Sequence, residues 1–244
     1  MRIPRIYTEQ VLVANSPLEL EAGASAHIAR AMRMRVGDQL TLFNGQGGEF
    51  DACVNTVEKK TVTVDIGTYC DTGTESPLAI HLGIAISRGD RMDWVVQKAT
   101  ELGVQRLSPL LTERTEVKLK GDRAEKKAQH WQQIAIAACE QCGRNTVPKI
   151  EPLQSLTRWV AATEADRKLV LHHRALAETA NGSTPSTIAL LIGPEGGLSP
   201  VEISLAQDAG YQALRLGPRV MRTETAPLAA MAILQSQWGD MSPD

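Results

Sequence analysis

Two loops that combine glycine, proline and charged residues contain the part of this sequence best suited to chemistry. In the first, an apolar run at 188–192 predicts a short buried strand that ends in a Gly-Pro turn at 193–194. The glycine pair at 196–197 lets the backbone adopt positive φ and lets a ligand come close. Ser199 and Glu202 then have the spacing of a capping box, which predicts a helix start. Because ligands of open α/β sheets bind at the carboxyl ends of strands, this segment predicts a ligand site.

The second loop repeats this pattern within residues 213–228, ALRLGPRVMRTETAPL. A short strand at 213–216 runs into a Gly-Pro turn at 217–218, and a helix rich in Ala, Leu and Met is predicted over 226–238. We expect the two strands to be adjacent, so that the loops lie side by side and form a pocket of backbone amides and aliphatic side chains. The alternative is two ordinary strand-to-helix connections, but the charged residues of the second loop favour a site.

A polar triplet, Thr112-Glu113-Arg114, follows the strand predicted at 106–111, which is where a site residue is expected. The alternative for Arg114 is a surface ion pair, which would contribute little to stability.

A Cys-x-x-Cys spacing, Cys139 and Cys142, closes the long helix predicted over 122–142. Zinc is excluded because the remaining cysteines, Cys53 and Cys70, lie in another domain and supply no second ligand pair of suitable spacing. A thioredoxin-like redox pair is excluded because it would open a helix, whereas this one closes it. We therefore predict structural thiols and no metal.

Composition excludes several classes of protein. The formal net charge of −2 argues against a protein that coats nucleic acid indiscriminately. The middle third of the chain, residues 76–150, carries 12 basic and 8 acidic residues, and both flanking segments are acidic. We therefore expect an anionic partner to contact the middle third.

No P-loop is present in the sequence, and the glycines at 45–48 are not a Rossmann fingerprint, because a strand follows them. The start, MRIPRIYTEQ, has no apolar signal core, and no stretch approaches a membrane span, which favours a cytoplasmic protein.

The elements divide into two domains. Residues 1–72 are predicted to form a β-rich domain. It has one helix, at 24–34, and three strands, at 39–43, 49–57 and 61–66. A polar, Gly/Thr/Ser-rich linker follows at about 70–76. Residues 77–244 alternate strand and helix, which predicts a mostly parallel sheet. Its strands are predicted at 78–86, 106–111, 168–172, 188–192 and 213–216, with helices at 90–102, 122–142, 155–163 and 226–238.

The two loops, LLIGPEGGLSPVE and LRLGPRVMRTETA, resemble the signature loops of the ribosomal RNA small subunit methyltransferase E family, and the resemblance extends over nearly the whole chain. This family belongs to the SPOUT superfamily. The resemblance implies an α/β fold, a SPOUT-type α/β knot with a deep trefoil knot and a mostly parallel sheet, preceded by a PUA-like β-barrel domain that helps to bind RNA. Pattern arguments alone would not propose a knot, since true knots are very rare.

The resemblance also implies a cofactor, S-adenosyl-L-methionine, held by the two Gly-Pro loops and the end of a neighbouring strand. Carried over residue by residue, the cofactor-binding set is Leu171, His172, Ile192, Gly193, Glu195, Gly196, Gly197, Leu216, Gly217, Arg219, Val220, Met221 and Thr223. Arginines of the first domain that could contact RNA phosphates are Arg2, Arg5, Arg30 and Arg33, and the alternative for each is a solvated surface position.

The reaction implied by the resemblance is methylation of N3 of a uridine in the decoding region of 16S ribosomal RNA, on a nucleotide that is flipped out or already unpaired. Loss of the N3 proton needs a general base or a cation near O2 or O4. The candidate catalytic residues are Arg114, Glu140, Arg144, Arg222 and Glu224, with Arg219 as a further candidate cation. We hypothesise stabilisation by arginine without a strong base.

The partners implied are 16S rRNA in the small ribosomal subunit and a second copy of the chain, since the superfamily acts as homodimers. The helix predicted at 226–238 is apolar over much of its circumference, which fits burial against both a sheet and a partner subunit. Two alternatives stay open: a non-catalytic RNA-binding or ribosome-assembly protein that keeps the fold, and a knotted methyltransferase with a different RNA target.

Overall fold

The computed structural model describes residues 3–171 and 183–242. The chain forms two compact units. The first comprises Met1–Glu75 and Ile136–Val147, and the second comprises Ser76–Ala135 and Pro148–Asp244. The structure thus groups Ile136–Val147 with the first unit, although the sequence-based division assigns this stretch to the second domain.

The first unit is built on a mixed sheet of five strands in the order β1-β3-β4-β5-β2. The strands are β1 (Arg5–Tyr7), β2 (Pro17–Glu19), β3 (Gln39–Phe43), β4 (Glu49–Val57) and β5 (Val62–Cys70). Pairing is parallel between β1 and β3 and antiparallel elsewhere. The alternation of β-branched and polar residues along β5 produces this sheet, because Val62, Val64 and Ile66 face a buried core.

The helix predicted over 24–34 has two parts in the structure. α1 (Ala22–Ala26) continues into a π-helical stretch, His27–Met32, and Arg33 ends it in the left-handed conformation with φ of 54°. The helical spacing of Ile28, Ala31 and Met32 predicts one buried face, but only Ile28 is buried and the other two are exposed, and the wider π turn is a further departure.

The second unit contains a parallel sheet in the order β12-β10-β11-β6-β7-β8, with β9 also paired to β7. The strands are β6 (Ala79–Ala85), β7 (Val104–Leu111), β8 (Lys149–Ile150), β9 (Gln154–Ser155), β10 (Arg167–Leu171), β11 (Thr187–Ile192) and β12 (Gln212–Leu214). The predicted parallel sheet is therefore confirmed.

Helices cover both faces of this sheet. They are α2 (Arg91–Glu101), α3 (Asp122–Cys142), α4 (Leu156–Ala162), α5 (Pro200–Asp208) and α6 (Ala226–Trp238). Along β11, Leu190 belongs to a core that includes residues of α2 and α6, and its neighbour Leu191 belongs to a second core that includes residues of α4 and α5. A strand buried on both faces reads as a continuous apolar run, which is why ALLI at 189–192 contains no polar residue.

The expectation that the strands before the two Gly-Pro loops are adjacent is wrong. β10 lies between β11 and β12 and pairs in parallel with each of them. Short apolar runs identify strands, but the order of strands depends on the connections between them, which these runs do not encode. None of the described helices is long and apolar enough to span a lipid bilayer.

Candidate active site

A cavity of about 640 Å³ lies in the second unit, beyond the carboxyl ends of β10, β11 and β12. Both Gly-Pro loops line it, because they follow the two strands that flank β10. Twelve of the thirteen predicted cofactor residues are among the lining residues: Leu171, Ile192, Gly193, Glu195, Gly196, Gly197, Leu216, Gly217, Arg219, Val220, Met221 and Thr223. The thirteenth, His172, lies outside the described residues.

Two glycines determine the path of the first loop. A Cβ atom on Gly193 would lie 2.9 Å from Cγ of Leu198 and 3.0 Å from its backbone nitrogen, which is closer than real side chains approach. Gly197 has φ of +67°, and its N–H donates a 2.8 Å hydrogen bond to the Pro194 carbonyl oxygen, closing a tight turn. The loop therefore turns sharply under the cavity and leads directly into α5.

The predicted capping box at the start of α5 is confirmed. The Ser199 hydroxyl accepts a hydrogen bond from the N–H of Glu202, and the Glu202 carboxylate accepts one from the N–H of Ser199. The same carboxylate accepts a 2.8 Å hydrogen bond from the N–H of Glu113, which follows β7. Glu202 thus joins the first Gly-Pro loop to the Thr112–Arg114 segment within the second unit.

Arg114 also lines the cavity. Its Nη1 atom donates a 2.8 Å hydrogen bond to the carbonyl oxygen of Gly196. This position agrees with the expectation that a site residue follows β7.

Arg91, at the start of α2, connects the two Gly-Pro loops. Its Nη1 lies 2.7 Å from Oε1 of Glu195 in the first loop, and its Nε lies 3.9 Å from Oε2 of Glu224 in the second. Sequence analysis missed this residue. A usable signal was its place just beyond β6, because the end of a strand in a parallel sheet is where site residues collect.

The second loop contributes the side chains of Arg219, Val220, Met221 and Thr223 to the cavity. Thr223 is buried, and the carbonyl oxygen of Arg222 accepts hydrogen bonds from the N–H groups of Thr225 and Ala226, which begins α6. Arg222 and Glu224 are not among the lining residues, whereas the exposed Arg219 is. The lining also includes five residues that sequence analysis did not select: Pro194, Leu198, Pro200, Ile203 and Ala226.

Glu140 and Arg144, predicted beside the target base, lie in the first unit. The Glu140 carboxylate accepts a 3.0 Å hydrogen bond from the N–H of Tyr7. The Arg144 side chain is 7% exposed and forms a 2.7 Å ion pair with Glu75. Both side chains therefore stabilise the packing of the first unit.

The predicted RNA-contacting arginines differ in exposure. Arg5 pairs with Glu49 and donates to Asn145, and its side chain is only 9% exposed. Arg30 and Arg33 are exposed around the π-helical stretch. Arg2 lies outside the described residues.

Of the cysteine pair, Cys139 has the properties of a structural thiol, and Cys142 is partly exposed. Cys139 is buried, and this burial raises the pKa of its thiol to about 12. Residues 3–171 and 183–242 contain no group of three or more His, Cys, Asp or Glu residues that could hold a metal ion.

The chemistry of the cavity fits S-adenosylmethionine. Its wall combines aliphatic side chains, which suit the two faces of an adenine ring, with loop backbone that offers N–H and C=O groups to the ring edge. Because Gly193 has no side chain, Leu198 can pack closely against it where the first loop lines the cavity. The charged side chains that line the cavity are Glu195, Arg114 and Arg219.

The sequence matches two families of known proteins. Residues 74–235 match the model of an RNA methyltransferase domain, and residues 20–67 match that of an RNA methyltransferase PUA domain. The ribosomal RNA small subunit methyltransferase E of Buchnera aphidicola subsp. Schizaphis graminum is 35% identical over 99% of both chains. That of Bacillus subtilis is 32% identical over 86% of both chains.

Solved structures share the fold over nearly their whole length. A putative methyltransferase from Legionella pneumophila, in complex with bound SAM, is 44% identical with a TM-score of 0.94, covering 98% of this chain and 100% of that one. A ribosomal RNA small subunit methyltransferase E from Neisseria gonorrhoeae, bound to S-adenosyl methionine, is 39% identical with a TM-score of 0.93, covering 99% and 100%. The predicted fold class, a SPOUT-type α/β knot with an N-terminal PUA-like domain, is confirmed. The chain belongs to the ribosomal RNA small subunit methyltransferase E family.

Proposed function

We propose that this protein is an S-adenosylmethionine-dependent methyltransferase that modifies N3 of a uridine in the decoding region of 16S rRNA, in the small ribosomal subunit. The observation that carries the proposal is the convergence of both Gly-Pro loops and Arg114 on one cavity at the carboxyl edge of the parallel sheet. Structures of relatives with 44% and 39% identity contain the same cofactor, which supports assigning it to this cavity.

When bound, S-adenosylmethionine supplies a methyl group carried by a positively charged sulfonium. The residues of the chain must hold this molecule, exclude water and favour the deprotonated form of the uridine. Arg114 and Arg219 line the cavity, which supports assigning them as the cations that stabilise negative charge on the uracil oxygens. Arg222 lies in the same loop as Arg219 and is exposed, so it is a second candidate from that loop.

In this proposal the N3 proton is lost to solvent, and the cations stabilise the resulting uracil anion in place of a strong base. Glu224 is already paired with Arg91, and Glu140 accepts a backbone hydrogen bond in the first unit. This favours arginine stabilisation, with Glu224 as the better placed of the two carboxylates. The buried ion pair between Arg144 and Glu75 argues for a positioning role for Arg144.

For the partners, we propose contact with RNA phosphates through the exposed Arg30 and Arg33 of the PUA-like unit. We also propose a cytoplasmic homodimer in which α6 contributes to the subunit interface. The support for this interface is Ile233, which is 42% exposed on an otherwise largely apolar helix.

The test is methyl transfer from labelled S-adenosylmethionine to small ribosomal subunits that lack the modification, followed by mapping of the labelled base. Label at N3 of one 16S uridine is the expected result. Label at another base or in another RNA would indicate a knotted methyltransferase with a different target. Absence of both label and cofactor binding would refute the enzyme and favour an RNA-binding or assembly protein.

A further inference from the structure

A second hollow lies in the same unit, over the first turn of α2. Its volume is about 660 Å³, which is ample for a nucleobase. We call it the Trp94 hollow, and its lining residues are Arg88, Gly89, Asp90, Arg91, Trp94 and Glu224.

Trp94 occupies an exposed position that the core does not require. Its side chain is 51% exposed, whereas Met92, Val95 and Val96 of the same helix are fully buried and form the apolar contact with the sheet. Only 4% of the residues in this chain are aromatic. A tryptophan that is half-exposed in such a chain indicates a role other than packing in the core. The Lys98 ammonium lies 5.2 Å from the ring centroid, an arrangement that restrains the indole.

The Trp94 hollow adjoins the cofactor cavity. Arg91 lines the hollow and forms a 2.7 Å ion pair with Glu195, which lines the cavity. Glu224 lines the hollow and directly follows Thr223, which lines the cavity. The two spaces therefore share a wall formed by Arg91 and the two Gly-Pro loops, so a molecule in the hollow would lie next to the bound cofactor.

The charges of the hollow suit a base better than a phosphate. Arg88 is paired with Glu116 at 2.8 Å, and Arg91 is paired with Glu195, so neither guanidinium represents an excess of positive charge. A phosphate site would need such an excess. Paired guanidinium and carboxylate groups instead offer hydrogen-bond donors and acceptors side by side. Uracil presents that pattern, because its O2 and O4 accept and its N3–H donates.

We propose that the Trp94 hollow is the subsite for the uracil base that accepts the methyl group. The base stacks on the indole of Trp94 and turns its polar edge toward Arg91 and Glu224, on the side of the cavity that Arg114 and Arg219 line, so Arg91 is a third cation beside the uracil oxygens. This assignment rests on the proposed function. It gives the acceptor base a position beside the cofactor, which the Thr112–Arg114 segment and the two Gly-Pro loops do not by themselves define.

The experiment compares Trp94→Leu and Trp94→Phe in methyl transfer to small subunits lacking the modification. Leucine keeps an apolar side chain but loses the aromatic face, and phenylalanine keeps the face. Trp94→Leu is expected to lower kcat/KM by about 5- to 150-fold, the loss equivalent to one base–aromatic stack, and Trp94→Phe by no more than about 3-fold. The Kd for S-adenosylmethionine, from calorimetry, and the molar mass, from light scattering, are expected to stay unchanged.

A matched control is Tyr69→Leu, since Tyr69 is 54% exposed and lies outside both spaces, in β5. It should transfer methyl groups as the unaltered protein does. Undiminished transfer by Trp94→Leu would overturn the proposal. So would a loss accompanied by a change in molar mass, because Trp94 would then belong to a contact between copies of the chain.

A second measurement does not depend on turnover. Small subunits assembled with 16S RNA that contains 5-iodouridine are irradiated with the protein, and the crosslinked peptide is identified by mass spectrometry. A crosslink at Trp94 is expected, and its absence in a complex that forms overturns the subsite. Failure of the proposed function would appear differently, as no transfer by the unaltered protein to any small subunit.

Discussion

Oε1 of Glu202 accepts a 2.8 Å hydrogen bond from the backbone N–H of Glu113, 89 residues earlier in the chain. The second carboxylate oxygen accepts from the N–H of Ser199 at 2.9 Å and caps α5. One side chain thus starts a helix and fixes the segment that precedes Arg114. Since Arg114 in turn donates to the Gly196 carbonyl, the floor of the cofactor cavity depends on a short chain of hydrogen bonds.

Replacing Glu202 by alanine should therefore affect both stability and cofactor binding. Loss of the cap and of the hydrogen bond to Glu113 is expected to lower the free energy of unfolding by about 1–2 kcal/mol. The Kd for S-adenosylmethionine should rise, because Arg114 and Gly196 lose their common support. Denaturant unfolding and calorimetry measure the two effects. The control is Asp208→Ala at the exposed end of the same helix, which should change stability by less than about 0.5 kcal/mol. Equal effects of the two substitutions would contradict the prediction.

Gly193→Ala should damage the cofactor site more than the fold. The new Cβ would lie 3.0 Å from the backbone nitrogen of Leu198, and a backbone atom yields less easily than a side chain, so the loop must shift. We expect the Kd for S-adenosylmethionine to rise at least 10-fold, a loss of about 1.4 kcal/mol. Gly23→Ala is the control, since nothing lies within 4 Å of its added Cβ. Unchanged affinity for Gly193→Ala would show that the loop does not form the floor of the site.

Local sequence patterns predicted the elements and loops well. The bounds predicted for Asp122–Cys142 and Ala226–Trp238 match the structure, because hydrophobic spacing and end signals lie within each segment. The capping box at Ser199 was predicted for the same reason. The described cofactor residues carried over by resemblance also converge on the cavity, since loops after parallel strands share one edge of the sheet.

Features that depend on distant residues were not predicted. The position of β10 between the two loop-bearing strands follows from chain connections, and the link from Arg91 to Glu195 joins residues 104 apart. The hydrogen bond from the N–H of Tyr7 to the Glu140 carboxylate likewise joins residues 133 apart. No local pattern encodes such pairs, because they form only when separate elements pack together.

His81 should make the protein less stable in acid. Burial lowers the pKa of His81 to about 4, helped by the charge of Arg106. Its Nε2 accepts a hydrogen bond from the Trp159 N–H at 3.1 Å and lies 2.9 Å from the Ser108 hydroxyl oxygen, so protonation of Nε2 would break the hydrogen bond from Trp159. The unfolded chain takes up this proton near pH 6.5. The free energy of unfolding is therefore expected to fall as the pH drops from 6.5 to about 4.

Two measurements check this dependence. The His81 ring resonance, assigned by comparison with His81→Gln, should not titrate above about pH 5 in the folded protein. The slope of unfolding free energy against pH between 6.5 and 4 should be smaller in His81→Gln, by up to about 1.4 kcal/mol per pH unit. A ring that titrates near 6.5 would refute the assigned hydrogen bond from Trp159.

Cys139 should resist alkylation in the folded protein. With a pKa of about 12, only about one thiol in ten thousand is ionised at pH 8, and the side chain is fully buried. Cys70 is exposed and should react rapidly with iodoacetamide under the same conditions. Peptide mapping after timed alkylation distinguishes the two. Modification of Cys139 at the rate of Cys70 would contradict a structural role, and labelling of both in denaturant is the control for reagent access.

The ion pair between Arg91 and Glu195 should matter for binding more than for stability. Both side chains are about 40% exposed, so their coupling is expected to contribute only about 0.2–1 kcal/mol to folding. They connect α2 to the first Gly-Pro loop, however, and Glu195 lines the cofactor cavity. A double-mutant cycle with Arg91→Ala and Glu195→Gln, read as the Kd for S-adenosylmethionine, should show a coupling larger than that for unfolding. The control is a second double-mutant cycle with Lys98→Ala and Glu101→Gln. These two residues form a comparably exposed ion pair on α2 and line neither the cofactor cavity nor the Trp94 hollow. Equal coupling in binding for the two pairs would mean that Arg91 does not hold the loop in place.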